Sequence, residues 1–207
     1  MEILTQRKET NGSNRIFIEL SAKDFQKDFM IIAIEELLDY SKDHIFEVNN
    51  ENKNVINQLY YYLTGNVDLF RGNLKKGIML IGPFGVGKTT IMKIMARLVQ
   101  KHSGKVFQMI SCVQLKDLIQ HHGMDHFERR PLILDEVGRE TKIVKDFGTE
   151  RKLFPEVIGM RYNKHAWTMA TSNYTLEDLG GMYGEYIKDR LTEMFNFIEL
   201  NGKSFRK

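Results

Sequence analysis

Residues 76–90 read K-G-I-M-L-I-G-P-F-G-V-G-K-T-T. Residues 78–81 form a short apolar run, suited to a strand buried on both faces. Gly82-Pro83-Phe84-Gly85-Val86-Gly87-Lys88-Thr89 then satisfies G-x-x-x-x-G-K-[ST], the P-loop signature. Its spacing has a physical reason. Glycines let the backbone curl so that successive N–H groups point inward at a polyphosphate. The lysine of the signature reaches the outer phosphates, and the hydroxyl after it ligates magnesium. An amphipathic helix over 88–101 would aim its positive end at the same anion. Ordinary residue frequencies produce the pattern by accident in roughly 1% of chains this long. Its place between a strand and a helix makes nucleotide binding the reading. The residues assigned to it are Gly82, Pro83, Phe84, Gly85, Val86, Gly87, Lys88, Thr89 and Thr90.

A second motif lies downstream. Pro131-Leu132-Ile133-Leu134-Asp135-Glu136 describes a buried strand whose C-terminal end carries two carboxylates. In open parallel sheets that end is where ligands bind. Asp135 can hold magnesium together with Thr89, and Glu136 can orient and deprotonate an attacking water. Alone, an Asp-Glu pair is a solvated strand end; after a P-loop it becomes the partner motif. A third strand, A-W-T-M-A at 166–170, ends in Thr171-Ser172-Asn173. The Asn173 amide can position the lytic water or touch the outer phosphate.

Expected strands at 77–81, 105–110, 132–135, 166–170 and 195–200 alternate with expected helices at 88–101, 113–122, 154–163 and 183–194. Residues 176–179 form a short turn of helix, broken by Gly180-Gly181. This alternation predicts an α/β fold, a five-stranded parallel sheet with helices on both faces. Ahead of it, 15–20 is expected as a short strand, Ser21 as an N-cap with Asp24 in the first turn, and 22–42 as an amphipathic helix. That helix carries Phe25, Phe29, Ile32, Ala33, Leu37 and Tyr40 inward, to pack on the main domain or to meet a partner. Polar residues 49–53 mark a boundary, so we divide the chain into a helical extension, 1–45, and a nucleotide-binding domain, 46–207. A second helix at 54–63 turns Val55, Leu59, Tyr62 and Leu63 inward.

An apolar share of 42% in 207 residues supplies a real core. A net charge of +3 carries no global nucleic-acid signal, so any such surface is local. One cysteine, Cys112, excludes a disulfide framework. The polar N-terminus lacks a signal-peptide pattern, and the longest apolar stretch, 29–38, is interrupted by Glu35 and Glu36 and too short to span a bilayer. A cytoplasmic protein without membrane contact is expected.

The motif set resembles the AAA+ ATPases, and within them the DnaC-type helicase loaders and the IstB-type transposition helpers. G-P-F-G-V-G-K-T at 82–89, L-I-L-D-E at 132–136, A-T-S-N at 170–173, Y-G-E-Y-I-K-D-R-L at 183–191 and G-K-S-F-R at 202–206 carry it, over about residues 46–207. The resemblance implies an ATPase using ATP and Mg²⁺. Lys88 and Thr89 take the Walker A role, and Asp135 and Glu136 the Walker B role. Asn173 looks like sensor 1, and Arg190 like an arginine finger that reaches a neighbouring subunit's γ-phosphate. Arg206 resembles a sensor-2 arginine that touches the nucleotide. Some loaders carry a second arginine one helical turn before the finger; Tyr186 stands there in this chain. The helical lid that follows the core of many AAA+ proteins has no counterpart here. The implied partners are DNA, single-stranded by preference, a replicative helicase or a transposase, and further copies of the chain.

Other constellations compete. His121, His122 and His126 with Cys112 suggest zinc, but no C-x-x-C accompanies them, and a helix end at Gly123 parts them. Arg139, Lys142, Lys145, Arg151 and Lys152 lie in a polar stretch, 138–152, with Glu140, Asp146 and Glu150 interleaved. They either track a DNA backbone or form a solvated loop. A P-loop small-molecule kinase is a second functional class, disfavoured by Glu136, which would waste ATP on water. A non-hydrolytic nucleotide switch is a third.

Overall fold

The computed structural model describes residues 15–38, 46–140, 144–146 and 149–205. The helices are α1 (Ala22–Leu38), α2 (Lys53–Thr64), α3 (Lys88–Ser103), α4 (Leu115–His122), α5 (Leu153–Asn163), α6 (Leu176–Tyr183) and α7 (Glu185–Met194). The strands are β1 (Gly77–Ile81), β2 (Gln108–Ser111), β3 (Leu132–Val137), β4 (Val144–Asp146), β5 (Thr149–Arg151), β6 (Thr168–Ser172) and β7 (Phe195–Glu199). Five of the strands form one sheet in the order β2-β3-β6-β1-β7. Every neighbouring pair in it is parallel.

Side chains alternate across the sheet with the period of two that a pleated strand imposes. Ile78, Leu80, Ile133 and Met169 face one side and join a core with Phe25, Phe29, Leu59 and Leu98 from α1, α2 and α3. Met79, Leu132, Leu134 and Ala170 face the other and join Leu115, Val157, Ile158, Ile187 and Leu191 from α4, α5 and α7. β1, β3 and β6 are buried on both faces, which is why these runs read as largely apolar.

α1 begins as its sequence says. The Ser21 hydroxyl accepts from the Asp24 N–H at 3.1 Å and donates to the Asp24 carboxylate at 2.6 Å. Phe25, Phe29, Ile32 and Ala33 are buried. Their spacing forms one stripe that packs on α3. Leu37 is half-buried, and Tyr40 and the expected helix end at 42 lie outside the described residues. At the far end of the core, the Trp167 indole donates to the Tyr62 hydroxyl at 3.0 Å, which donates to the Lys76 carbonyl at 2.9 Å.

The structure corrects several expectations. Residues 15–20 do not form a strand; the Ile18 N–H goes to the Leu63 carbonyl at the end of α2, where no strand edge is available. β2 starts at Gln108 rather than 105, and Phe107 instead packs its ring on Trp167, with centroids 4.6 Å apart. A 3₁₀ turn, Cys112–Gln114, precedes α4, so the α-helix starts two residues later than 113. β6 covers Thr168–Ser172, not 166–170. α6 runs through Gly180-Gly181 and ends at Tyr183, with Gly184 as its C-cap. The Gly180 position is a close-approach site: a Cβ there would lie 2.7 Å from Lys188 Cδ on α7. The polar stretch 138–152 holds an antiparallel pair, β4 and β5, in place of a loop.

Candidate nucleotide site

β1 ends at Ile81 and feeds the loop 82–87 into α3. Gly82 adopts φ 147° and Gly85 φ 79°, and Gly87, at φ 94°, is the N-cap. At Gly82 a Cβ would also sit 2.1 Å from the Leu200 carbonyl oxygen, so no other residue fits without moving the chain end. No side chain caps α3, so its first-turn amides face into the loop. Val86 is buried under the loop, and Phe84 is exposed on it.

Lys88 is buried and folds back over the loop. Its ammonium donates to the Gly82 carbonyl at 2.7 Å, to the Pro83 carbonyl at 2.6 Å and to the Asn173 Oδ1 at 2.8 Å. Asn173 reaches it because β6 lies between β1 and β3 in the sheet. The same placement brings in the carboxylates. The Thr89 hydroxyl donates to Asp135 Oδ1 at 2.9 Å, and the Thr171 hydroxyl donates to the same oxygen at 2.6 Å. β3 slips register against β6 between Leu134 and Val137, and Glu136 takes φ 59°. A non-glycine residue in that region costs energy and gathers at functional sites. The Glu136 N–H is held by Thr171 Oγ1 at 3.0 Å, which fixes the bend.

The Glu136 carboxylate is paired. Arg139 Nη1 donates to Glu136 Oε1 at 2.7 Å, and the same guanidinium lies 6.0 Å from the Phe84 ring centroid. Behind this, Glu140 is buried, accepting from the Gly138 N–H at 3.0 Å and from the Tyr183 hydroxyl. Burial and then Glu140 push the Tyr183 phenol up from its ordinary pKa. Burial, with Glu140, Asp135 and Glu136 behind it, pushes the Cys112 thiol well up.

Lys88, Thr89, Asp135, Glu136 and Asn173 are thus brought together as the motifs suggest. A hydroxyl and a carboxylate oxygen in contact, Thr89 with Asp135, are the hard-oxygen donors that suit Mg²⁺. Arg190 lies outside the cluster; its guanidinium sits 4.1 Å from the Tyr186 ring centroid and 5.0 Å from that of Tyr162. Arg206 lies outside the described residues. Its neighbours do reach the loop: the Phe205 N–H donates to the Gly85 carbonyl at 3.0 Å. Ser204 and Phe205, with Asn49–Glu51, line a cavity of about 380 Å³ beside it. The His121 and His122 rings meet edge to face with centroids 4.7 Å apart, the His122 and His126 rings stack at 4.8 Å, and Cys112 is buried. Sequence reasoning read Arg139 only as a DNA-backbone or loop cation and gave Thr171 no role. Arg139 carries a faint signal, the i,i+3 spacing from Glu136; Thr171 carries none, because its role depends on which strand neighbours β3.

A phosphate loop, an acidic strand end and an amide on the strand between them, carried on this sheet, define a P-loop ATP-binding protein of the AAA+ type. The family of IstB-like ATP binding proteins matches residues 70–207, and the chain belongs to it. Among solved structures, the DnaC helicase loader is 22% identical with a TM-score of 0.58, covering 77% of this chain and 95% of that one. DnaI is 22% identical with a TM-score of 0.60, covering 83% and 93%. The replication initiator DnaA, bound to AMPPCP and single-stranded DNA, is 17% identical with a TM-score of 0.55, covering 76% of this chain and 49% of that one. These likenesses are of fold. No match was found among curated protein sequences. Among the described residues, no helix is long and apolar enough to cross a membrane.

Proposed function

We propose that the chain is a magnesium-dependent ATPase that assembles on DNA and serves helicase loading or transposition. The observation that carries this is the hydrogen-bonded convergence of Lys88, Thr89, Asp135 and Asn173 on one loop mouth. In this reading Lys88 leaves the Gly82 and Pro83 carbonyls for the outer phosphates. The loop amides and the first turn of α3 hold the phosphate tail. Thr89 and Asp135 hold Mg²⁺, which neutralises charge on the phosphates when bound. Asn173 aligns the water, and Glu136, released from Arg139, takes its proton. Arg190 acts in a neighbouring copy, where a guanidinium supplies about 10³–10⁵ in rate. Arg206 touches the nucleotide, consistent with the seat of Phe205 on Gly85. Residues 46–207 are the ATPase unit and 1–45 the extension that presents or receives a partner. The likeness to a helicase loader and to an initiator on single-stranded DNA supports the DNA setting.

The test is ATP turnover with and without single-stranded DNA, for wild type, Glu136→Gln and Lys88→Ala. Glu136→Gln should keep nucleotide binding and lose about 10²-fold or more in turnover. Lys88→Ala should lose binding. Equal turnover in wild type and Glu136→Gln supports a non-hydrolytic switch, and a phosphorylated acceptor in place of free phosphate supports a kinase.

A further inference from the structure

A second cavity, about 330 Å³, lies at the opposite end of the sheet. It opens beside Gly77, where β1 begins, and Ala166, just ahead of β6. One strand length, roughly 16 Å, separates it from the phosphate loop. Arg15, Lys75, Lys76 and Arg161 line it, with His165, and the only carboxylate on its wall is Glu193. The Glu193 carboxylate accepts from the Tyr162 hydroxyl.

The cations lack counter-charges. Arg15 is 6% exposed, donates to the Leu74 carbonyl and faces the Tyr62 ring at 5.3 Å, and its buried Nε has no hydrogen-bond partner among the described residues. Arg161 is fully buried, and its donors go to the Thr168 hydroxyl and to the carbonyls of Phe127, Arg130 and Trp167. Burial pulls the Arg161 pKa down to about 9, which leaves it charged at neutral pH. The Lys76 ammonium donates to the Thr192 carbonyl at 2.9 Å. None of the four forms an ion pair with a carboxylate among the described residues. Buried charge is costly unless paired, and an orphaned buried N–H adds to the cost. An anion seated here would supply the missing counter-charge. A guanidinium fork set back in a recess suits a tetrahedral oxyanion, and the recess takes the end of a ligand more readily than the middle of a strand.

We propose that this cavity is a binding site for a terminal phosphate group, distinct from the ATP site, with Arg15 as its buried ligand and Lys75 and Lys76 at its mouth. The phosphate is carried either by a small free molecule or by the 5′ end of a nucleic-acid strand. The Nε–H resonance of Arg15 in the full chain, followed by NMR, reads the site directly. The probes are inorganic phosphate and an oligonucleotide bearing a 5′-phosphate or a 5′-hydroxyl. We expect phosphate to shift that resonance saturably, equally in Lys88→Ala, where the P-loop ammonium is gone. The exposed substitution Lys75→Gln should weaken the effect several-fold, and being on the surface it leaves folding intact. A response to phosphate and to the 5′-phosphorylated strand assigns a strand end; a response to phosphate alone assigns a small molecule. No shift, a shift matched by chloride at equal ionic strength, or an equal shift with the 5′-hydroxyl strand overturns the proposal.

Discussion

The pair Glu136–Arg139 is the clearest case of one side chain governing another. While Arg139 holds Glu136 Oε1, that oxygen is not free to accept a proton from water. Removing an exposed ion pair is worth about 1 kcal/mol, or about fivefold. Arg139→Ala should therefore raise basal ATP turnover several-fold at saturating ATP, with nucleotide affinity unchanged; a fall would show that Arg139 serves the reaction instead. Cys112 gives a second prediction at this scale. Its pKa is raised, so at neutral pH it stays a thiol, and it is buried. A thiol reagent should leave it unlabelled in the native protein and label it fully in denaturant. Of the residues in the site, Lys88, Thr89, Asp135 and Glu136 were legible because their motifs encode local geometry. From the residues alone Asn173 was legible as a polar strand end, and the family likeness set it in the sensor 1 place. The family likeness singled out Arg190 and Arg206, but the structure leaves the first on Tyr162 and Tyr186 and does not describe the second.

At the scale of elements, α1 is held to α3 by charge as well as by its apolar stripe. Asp28 takes Lys101 at 2.8 Å and His102 at 2.8 Å, while Glu35 and Glu36 take Arg97. The Lys101 hydrogen bond, with His102 behind it, holds the Asp28 carboxyl below the ordinary carboxylate value. Where the folded pKa lies below the unfolded one, the unfolded chain binds more protons as pH falls. The stabilisation is then complete above about pH 4 to 5 and fades below it. Asp28→Asn should cost about 0.5–1 kcal/mol at pH 7 and progressively less as pH falls through the range where the folded carboxyl takes its proton, read from urea midpoints. The helices carried their signals well, since Ser21, the buried stripe of α1 and the inward face of α2 follow period and capping rules. The β4–β5 pair did not, because Val-Lys-Asp at 144–146 and Thr-Glu-Arg at 149–151 are short, mostly polar runs with no apolar alternation. The double glycine misled for a different reason: Gly180 serves the approach of α7, a tertiary demand that looks like a breaker in one dimension.

For the whole molecule, the strand count and the two-faced packing were legible, but the order of strands was not. Order decides the site, because β6 must insert between β1 and β3 for Asn173 and Thr171 to reach Lys88 and Asp135. If Arg190 completes the site of a second copy, turnover per subunit should rise with protein concentration or with DNA, and Arg190→Ala should abolish that rise without reducing ATP affinity. Sedimentation of the same samples reports whether assembly accompanies it. Fast turnover independent of concentration would exclude the shared site.

The central position of β6 also sets when the protein becomes competent. Residues far apart along the chain, up to 85 positions between Lys88 and Asn173, meet only through that strand. Such long-range pairing is slow to form. A fragment holding both acidic and glycine-rich motifs but ending before Thr168 should be blind to ATP. In refolding, nucleotide capture should lag behind helix formation, so ligand binding times the closing of the sheet.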